Sequence, residues 1–313
     1  TSTMPRPGGR ARETMVQKGR ARSRRRRESL AAALFIGPDL IGLFVFVFLP
    51  IVFAIYVSFF DWNLISAMNF VGLANYQRLM ADAEWWNSML RTLQFALLYV
   101  PVLFALSLAL AVAFTKLAGR ASAALRSAYL LPFAVTSVIA STLWLFLYTE
   151  KTGYLNAFLN LLGIADQKFI GSPTQAMVSV AVVVLWINLG YTSLLFFSAI
   201  KEIPLSITEA ARLDGAGPWK TFWSITLPLI RPTVVFVIVT STIAAFQILD
   251  IILVMTKGGP AGSTQVGVLY IYQRSFERLE MGYGSALSVV MFLILLVISL
   301  VQLRISRRSN LED

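Results

Sequence analysis

The stretch Lys201-Glu-Ile-Pro-Leu-Ser-Ile-Thr-Glu-Ala-Ala-Arg-Leu-Asp-Gly-Ala-Gly-Pro-Trp-Lys-Thr-Phe-Trp-Ser-Ile-Thr-Leu-Pro228 separates two long apolar runs, Ala176–Ile200 and Thr233–Met255. Its own chemistry is that of two short helices joined by a turn. Ser206 and Glu209 have capping-box spacing, which predicts a helix start near Ser206. Ala210 and Ala211 give that helix a smooth face that another surface can approach closely. Asp214-Gly215 is a stop signal, because Gly215 takes positive φ without a Cβ clash. Pro218 suits the first turn of a second helix, whose apolar side is Trp219, Phe222, Trp223, Ile225 and Leu227. Pro228 and Pro232 then break the chain before the next apolar run. The stretch reads as a helix–turn–helix lying on a membrane face.

Outward from this loop the chain is dominated by apolar runs. There are six, at about Leu34–Phe60, Leu93–Thr115, Leu125–Tyr148, Ala176–Ile200, Thr233–Met255 and Ser285–Leu303. Of the 313 residues 57% are hydrophobic and only 14% charged, which is a membrane composition rather than that of a large soluble core. About 20 apolar residues cross the hydrocarbon as a helix, which satisfies its own backbone. The expected fold is therefore an all-α membrane protein of six transmembrane helices, with the 201–230 loop between the fourth and fifth. The expected organisation is a basic tail over residues 1–30, a membrane domain over 31–305 and a C-terminal tail over 306–313.

Charge gives the orientation. With the N-terminus inside, the cytoplasmic segments hold 20 of the 27 Lys and Arg, and the outside segments hold seven. The positive-inside rule then places both ends in the cytoplasm, as an even number of spans requires. Ten of the basic residues fall between Arg6 and Arg27. Alone they resemble a nucleic-acid arm, but the apolar run that follows makes them a cytoplasmic tail near anionic lipid, with no nucleic-acid partner expected. Cysteine and histidine are both absent, which excludes disulfides, Cys/His zinc sites, Cys nucleophiles and His general bases. No Gly-x-x-x-x-Gly-Lys-Ser/Thr loop occurs, so the chain does not bind ATP by that route.

The spacing Glu209-Ala210-Ala211, Gly215 and Ile225-Thr226-Leu227-Pro228 resembles the loop of ABC importer permeases. Ser58–Trp62, Phe70–Tyr76, Phe246–Asp250, Thr256–Pro260 and Gly282–Ala286 are similar to the sugar and glycerol-phosphate branch of that family. The resemblance implies that the loop docks as a coupling helix on a cytoplasmic ATPase subunit. Glu209 would be its charged contact, Ala210 and Ala211 the close-packing face, and Asp214 and Gly215 the turn. It also implies a second homologous permease, two ATPase subunits that bind ATP and Mg, and an extracytoplasmic solute-binding protein, in a bacterial inner membrane. No cofactor is expected on this chain itself, which is a transport subunit and not an enzyme.

Polar residues in the spans are candidates for the solute pathway, because a sugar needs hydrogen-bonding groups and an aromatic surface. They are Asn188, Tyr191 and Ser193 in the fourth span and Gln247 and Asp250 in the fifth. Gln247 and Asp250, three apart, are expected on one helix face. Tyr99 and Trp144 are further lining candidates. Helix–helix hydrogen bonding is the competing role for all of these. The expected solute is an oligosaccharide or amino sugar, with glycerol 3-phosphate or a glycerophosphodiester as the alternative. An ATP-independent secondary transporter is the rival class, and Asp250 is the one serious buried-acid candidate for its coupling site.

Overall fold

The computed structural model describes residues 35–117 and 119–308. The expected tail at residues 1–30 and the last five residues, 309–313, lie outside them. The chain divides into two compact units at Val57/Ser58. The first is described by one helix, α1, Phe35–Val57, whose one charged residue is Asp39 and which contains a π-helical turn at Phe44–Phe48.

The second unit starts with a two-residue antiparallel ribbon, β1 (Phe60–Asp61) and β2 (Asn69–Phe70), in register Phe60↔Phe70. Helix α2 (Ala74–Ala81) follows, then α3 (Ala83–Lys116), α4 (Gly119–Leu130), α5 (Ser137–Leu147), α6 (Tyr154–Leu161) and α7 (Ala176–Lys201). Beyond α7 come α8 (Leu205–Leu213) and α9, which starts at Pro218–Thr221 and continues through a π turn at Phe222–Thr226 into Leu227–Leu229. The chain ends with α10 (Arg231–Phe246), α11 (Asp250–Met255), α12 (Gly267–Tyr272) and α13 (Met281–Arg308). Helix α13 runs three residues past the expected start of the C-terminal tail.

Five helical stretches are long and apolar enough to cross a membrane: Phe35–Val57, Ala83–Lys116, Ala176–Lys201, Arg231–Met255 and Met281–Ile305. The run Leu125–Tyr148 is not the straight span expected of it. Its two parts, Ser122–Ala134 and Ser137–Leu147, meet at 99°. Pro132 sits in a 3₁₀ turn at Leu131–Ala134 and lacks the N–H that would continue α4. Thr136 then caps a fresh helix, its hydroxyl accepting from the Ile139 N–H at 3.4 Å.

Helices α3 and α7 form the most extensive pair and run the same way. Phe95, Tyr99 and Leu103 of α3 share one core cluster with Val180, Val184 and Ile187 of α7. Leu108 and Ala111 share a second with Phe196, Ile230 and Val237. Residues 108–117 and 196–231 thus lie towards one end of the unit, and residues 82–92 and 256–283 towards the other. Lipid is as apolar as leucine, so close packing rather than water exclusion holds such helices together. Small residues allow it. Ala96, Ala111, Ala140, Ala181, Ala245 and Ala286 are all buried. At Gly190 a Cβ would stand 1.8 Å from the Tyr129 carbonyl oxygen, so only glycine lets α7 meet the end of α4.

The end remote from the α8–α9 loop is closed by a polar clasp. Asp82 caps α3, one carboxylate oxygen accepting from the Glu84 and Trp85 N–H groups at 3.0 and 3.2 Å. Its other oxygen accepts from the hydroxyls of Tyr270 on α12 and Tyr283 on α13. Arg274 donates to Tyr270 and pairs with Glu84 at 3.2 Å and Glu280 at 3.3 Å, and Glu280 also pairs with Arg78 at 2.9 Å. Arg78 lies over the Tyr283 ring, 3.9 Å from its centroid. Burial opposes ionisation of Asp82, but the hydroxyls of Tyr270 and Tyr283, the Trp85 N–H and the Arg274 charge together hold its carboxyl below the usual carboxylate range.

Two outcomes follow for folding. Gly190→Val forces a backbone clash and should destabilise the protein by about 1–3 kcal/mol, read as a lower thermal midpoint in detergent. Asp82→Ala removes a helix cap and leaves two tyrosine hydroxyls without their acceptor, a loss of about 3 kcal/mol. Because the folded pKa of Asp82 is lowered, its contribution is complete above the unfolded-state pKa and is lost as pH falls below about 4. Thermal midpoints at pH 7 and pH 3.5 should therefore differ less in Asp82→Ala than in the parent.

Candidate functional site

The loop between α7 and α10 forms an elbow whose two arms are α8 and α9. Pro204, at φ −57° and ψ 132°, occupies the N-cap of α8, and no side chain caps the helix. The expected Ser206–Glu209 capping box is not formed. The helix begins one residue before Ser206, so its hydroxyl stands inside the first turn, too late to cap. The end of α8 follows the sequence reading closely. Gly215 has φ +77°, its N–H donates to Arg212 O at 3.1 Å, and the Ala216 N–H donates to Ala211 O at 2.9 Å. These are the two bonds of a Schellman motif, with Asp214 as the C-cap. Gly217 precedes Pro218, which opens α9 at its first position.

Glu209 is exposed and makes no side-chain hydrogen bond or ion pair among the described residues. Ala211 is buried whereas Ala210 is exposed, so the two alanines do not share one face. Leu205 (76%), Leu213 (89%) and Trp219 (74%) are the most exposed apolar groups of the elbow. Trp219, Phe222 and Trp223 form an aromatic group with ring centroids 5.3–6.4 Å apart. The root of the elbow is fixed: Ile203, Phe222 and Leu227 pack against Leu108, Ala111, Phe196, Ile230 and Val237. A force applied to the elbow therefore reaches α3, α7 and α10 directly. The π turn at Phe222–Thr226 lies immediately before Pro228, whose missing N–H disturbs the regular ladder there.

The span candidates have separate environments. Asn188 donates to Val184 O at 2.9 Å and Ser193 to Leu189 O at 2.6 Å, so both satisfy themselves on their own helix. Ser193 is fully buried, and five residues of helix turn it well away from Asn188. Tyr191 is exposed and stacks on Phe133 at 4.5 Å and 9°. Gln247 is exposed at the C-cap of α10, and Asp250 is the exposed first residue of α11. Regular helix is interrupted between them, because the Gln247 N–H is shared between Ile243 O and Ala244 O and the last turn tightens. The expectation of one continuous helix face is corrected accordingly. Asp250 is exposed rather than a buried acid. Tyr99 is buried and stacks on Phe95 at 5.6 Å, a core position rather than a lining one.

A cleft of about 590 Å³ lies at the clasp end and includes none of these candidates. The first turns of α3 form one side with Glu84, Asn87, Arg91 and Gln94, and residues 261–278 form the other. Sequence reasoning passed over this site, counting Arg91, Arg274 and Arg278 only as outside charges. Its one available signal was three arginines in the outside segments between apolar runs, where an ionic group requires water or a partner.

The family described as binding-protein-dependent transport system inner membrane component matches residues 73–310. The sulfoquinovosyl glycerol transport system permease protein SmoG of Agrobacterium fabrum is 33% identical over 285 residues, 90% of this chain and 92% of that protein. The trehalose/maltose transport system permease protein MalF of Thermococcus litoralis is 32% identical over 283 residues, 90% of this chain and 95% of that protein. Among solved structures, a bacterial ABC transporter involved in the import of the acidic polysaccharide alginate superposes with a TM-score of 0.79. It is 22% identical and covers 92% of this chain and 99% of that one, a likeness of fold. With that fold, its apolar spans and the match over most of its length, the chain belongs to the binding-protein-dependent transport system inner membrane components and is a multi-pass permease subunit of an ABC importer.

Proposed function

We propose that this permease imports a carbohydrate delivered by an extracytoplasmic binding protein, driven by ATPase subunits that engage the elbow. The observation that carries the coupling role is the exposed, unpaired Glu209 on a short helix closed by a Schellman turn and rooted in three spans. ATP and Mg belong to the two ATPase subunits, and this chain carries no hydrolytic site of its own. A second homologous permease completes the pathway. The bent pair Ser122–Ala134 and Ser137–Leu147 counts as one crossing, which makes six spans with both termini cytoplasmic.

The relatives support a sugar. Beside the trehalose/maltose permease, the probable starch degradation products permease AmyD of Thermoanaerobacterium thermosulfurigenes is 31% identical over 89% of this chain. Glycerol 3-phosphate is the second reading. The sn-glycerol-3-phosphate transport system permease UgpA of Agrobacterium fabrum is 33% identical over 87% of this chain, and the cleft at the clasp end is rich in arginine. We assign solute contact to Gln247, Asp250, Tyr191 and Asn188, which are exposed or half-buried, and a packing role to Ser193.

Both assignments are testable. Glu209→Lys reverses the exposed charge, and Gly215→Pro demands φ near −65° where the turn has +77°. Each should lower ATP-dependent uptake of labelled maltotriose or glycerol 3-phosphate into vesicles at least tenfold while the chain still inserts; unchanged uptake in both would sink the coupling role. Gln247→Ala should raise the half-saturating concentration for uptake several-fold with assembly intact. Normal kinetics in that variant would remove Gln247 from the pathway.

A further inference from the structure

We propose that the arginine-lined cleft at the clasp end receives an anionic group of the solute, so that the imported compound is an acidic saccharide or a phosphorylated one. The inference rests on the transport reading above and narrows its substrate class.

The cleft is built for such a group. Of its lining residues, Arg91, Arg274 and Arg278 are cationic and Glu84 is the single anion, which leaves a net charge of +2 (3 − 1). The arginines are unequally engaged. Arg274 has only 11% of its side chain exposed and is held by Glu84, Glu280 and Tyr270, yet its Nε is buried without a hydrogen-bond partner. Arg91 donates only to the Gln94 side chain, at 3.0 Å, and Arg278 makes no side-chain hydrogen bond or ion pair among the described residues. Two guanidinium groups therefore keep free donors beside a third that is fixed by the clasp. Planar guanidinium forks match carboxylate, sulfonate and phosphate oxygens in a bidentate way.

The other lining groups suit hydroxyls. Asn87, Ser88, Gln94, Gln265 and Gln273 all line the cleft. Gln265 donates to Gln273 at 2.6 Å, which leaves the carbonyl of one amide and the NH₂ of the other for a polyol. The volume, about 590 Å³, falls within the range of small-molecule sites. A purely structural cluster would pair its cations, as the clasp itself does with Glu84 and Glu280. Arg91 and Arg278 have no such carboxylate, and their uncompensated charge favours an anionic visitor.

The test uses the assembled permease–ATPase complex in lipid nanodiscs and three probes: a uronate trisaccharide, glycerol 3-phosphate and maltotriose. At least one anionic probe should bind ten times more tightly than maltotriose. The pair Arg91→Gln with Arg278→Gln should weaken that probe about tenfold, and the pair Arg91→Lys with Arg278→Lys should retain most of its binding. Selective binding of the uronate names a carboxylate sugar as the source, and selective binding of glycerol 3-phosphate names a phosphate ester. Equal binding of the neutral sugar, or anion binding unchanged by the glutamine pair, overturns the inference. So does a glutamine pair that weakens association of the binding protein whatever its cargo, since the arginines would then serve docking. Wild-type vesicles that accumulate none of the three probes with ATP would count against the transport reading instead, and the nanodisc arm separates the two.

Discussion

In hydrocarbon no water is at hand to receive a backbone N–H or C=O, and the described spans answer to that constraint. The longest helix, α3, has 34 residues and rises about 51 Å, well beyond a hydrocarbon core of about 30 Å. Its first turns can therefore carry Glu84, Asn87 and Arg91 outside the apolar layer. Deeper polar side chains turn back on their own helix. Thr92 donates to Ser88 O, Ser107 to Leu103 O, Ser193 to Leu189 O and Thr242 to Ile238 O. The same rule confines irregular backbone to protected places. The break after α10 has Phe246, Ile248 and Ile251 buried around it, and the turn at 256–264 is closed by Thr264 donating to Gly259 O at 2.9 Å.

The two ends of the bundle solve opposite problems. At the clasp end, Asp82 gathers α3, α12 and α13 through one carboxylate, and ion pairs from Arg274 and Arg78 brace it. Charge-assisted bonds of this kind are short and directional, so they fix relative helix position more firmly than apolar contact alone. At the elbow end the root is apolar and dense, while the tip leaves Glu209, Leu205, Leu213 and Trp219 in the open. The clasp is braced by ion pairs from within, whereas the tip of the elbow stands exposed on a packed root.

Much of this was legible in the sequence because apolar length is a strong signal. Four of the six expected runs lie within or across single helical spans of the structure, and a fifth, Thr233–Met255, is interrupted only at residues 247–249. Asp214-Gly215 and Pro218 fell where turn chemistry put them, since positive φ and a fixed proline φ leave little choice. The errors have local causes. Leu125–Tyr148 was read as one unbroken helix because hydropathy ignores the missing N–H of Pro132. The capping box failed because Pro204 started α8 one residue early. Gln247 and Asp250 were placed on one face by counting three residues through a turn that tightens. The clasp and the cleft were invisible for a different reason. Arg274 and Glu84 are 190 residues apart, and Tyr270 and Asp82 188, and nothing local in the sequence announces such pairs.

The proposed coupling role requires a short segment that is stiff enough to transmit a push. Nine residues of isolated helix are only marginally stable in water, so α8 cannot be rigid by propensity alone. Its rigidity comes from both ends. The Schellman bonds fix the C-terminal turn, Pro218 fixes the entry to α9, and buried Ala211 seats the helix. Beyond them Phe222 and Leu227 join the cluster shared by α3, α7 and α10. In the coupling role proposed above, a push on Glu209 would be carried through these packed side chains. The π turn at Phe222–Thr226 sits on that route, between the exposed arm and the first span beyond it.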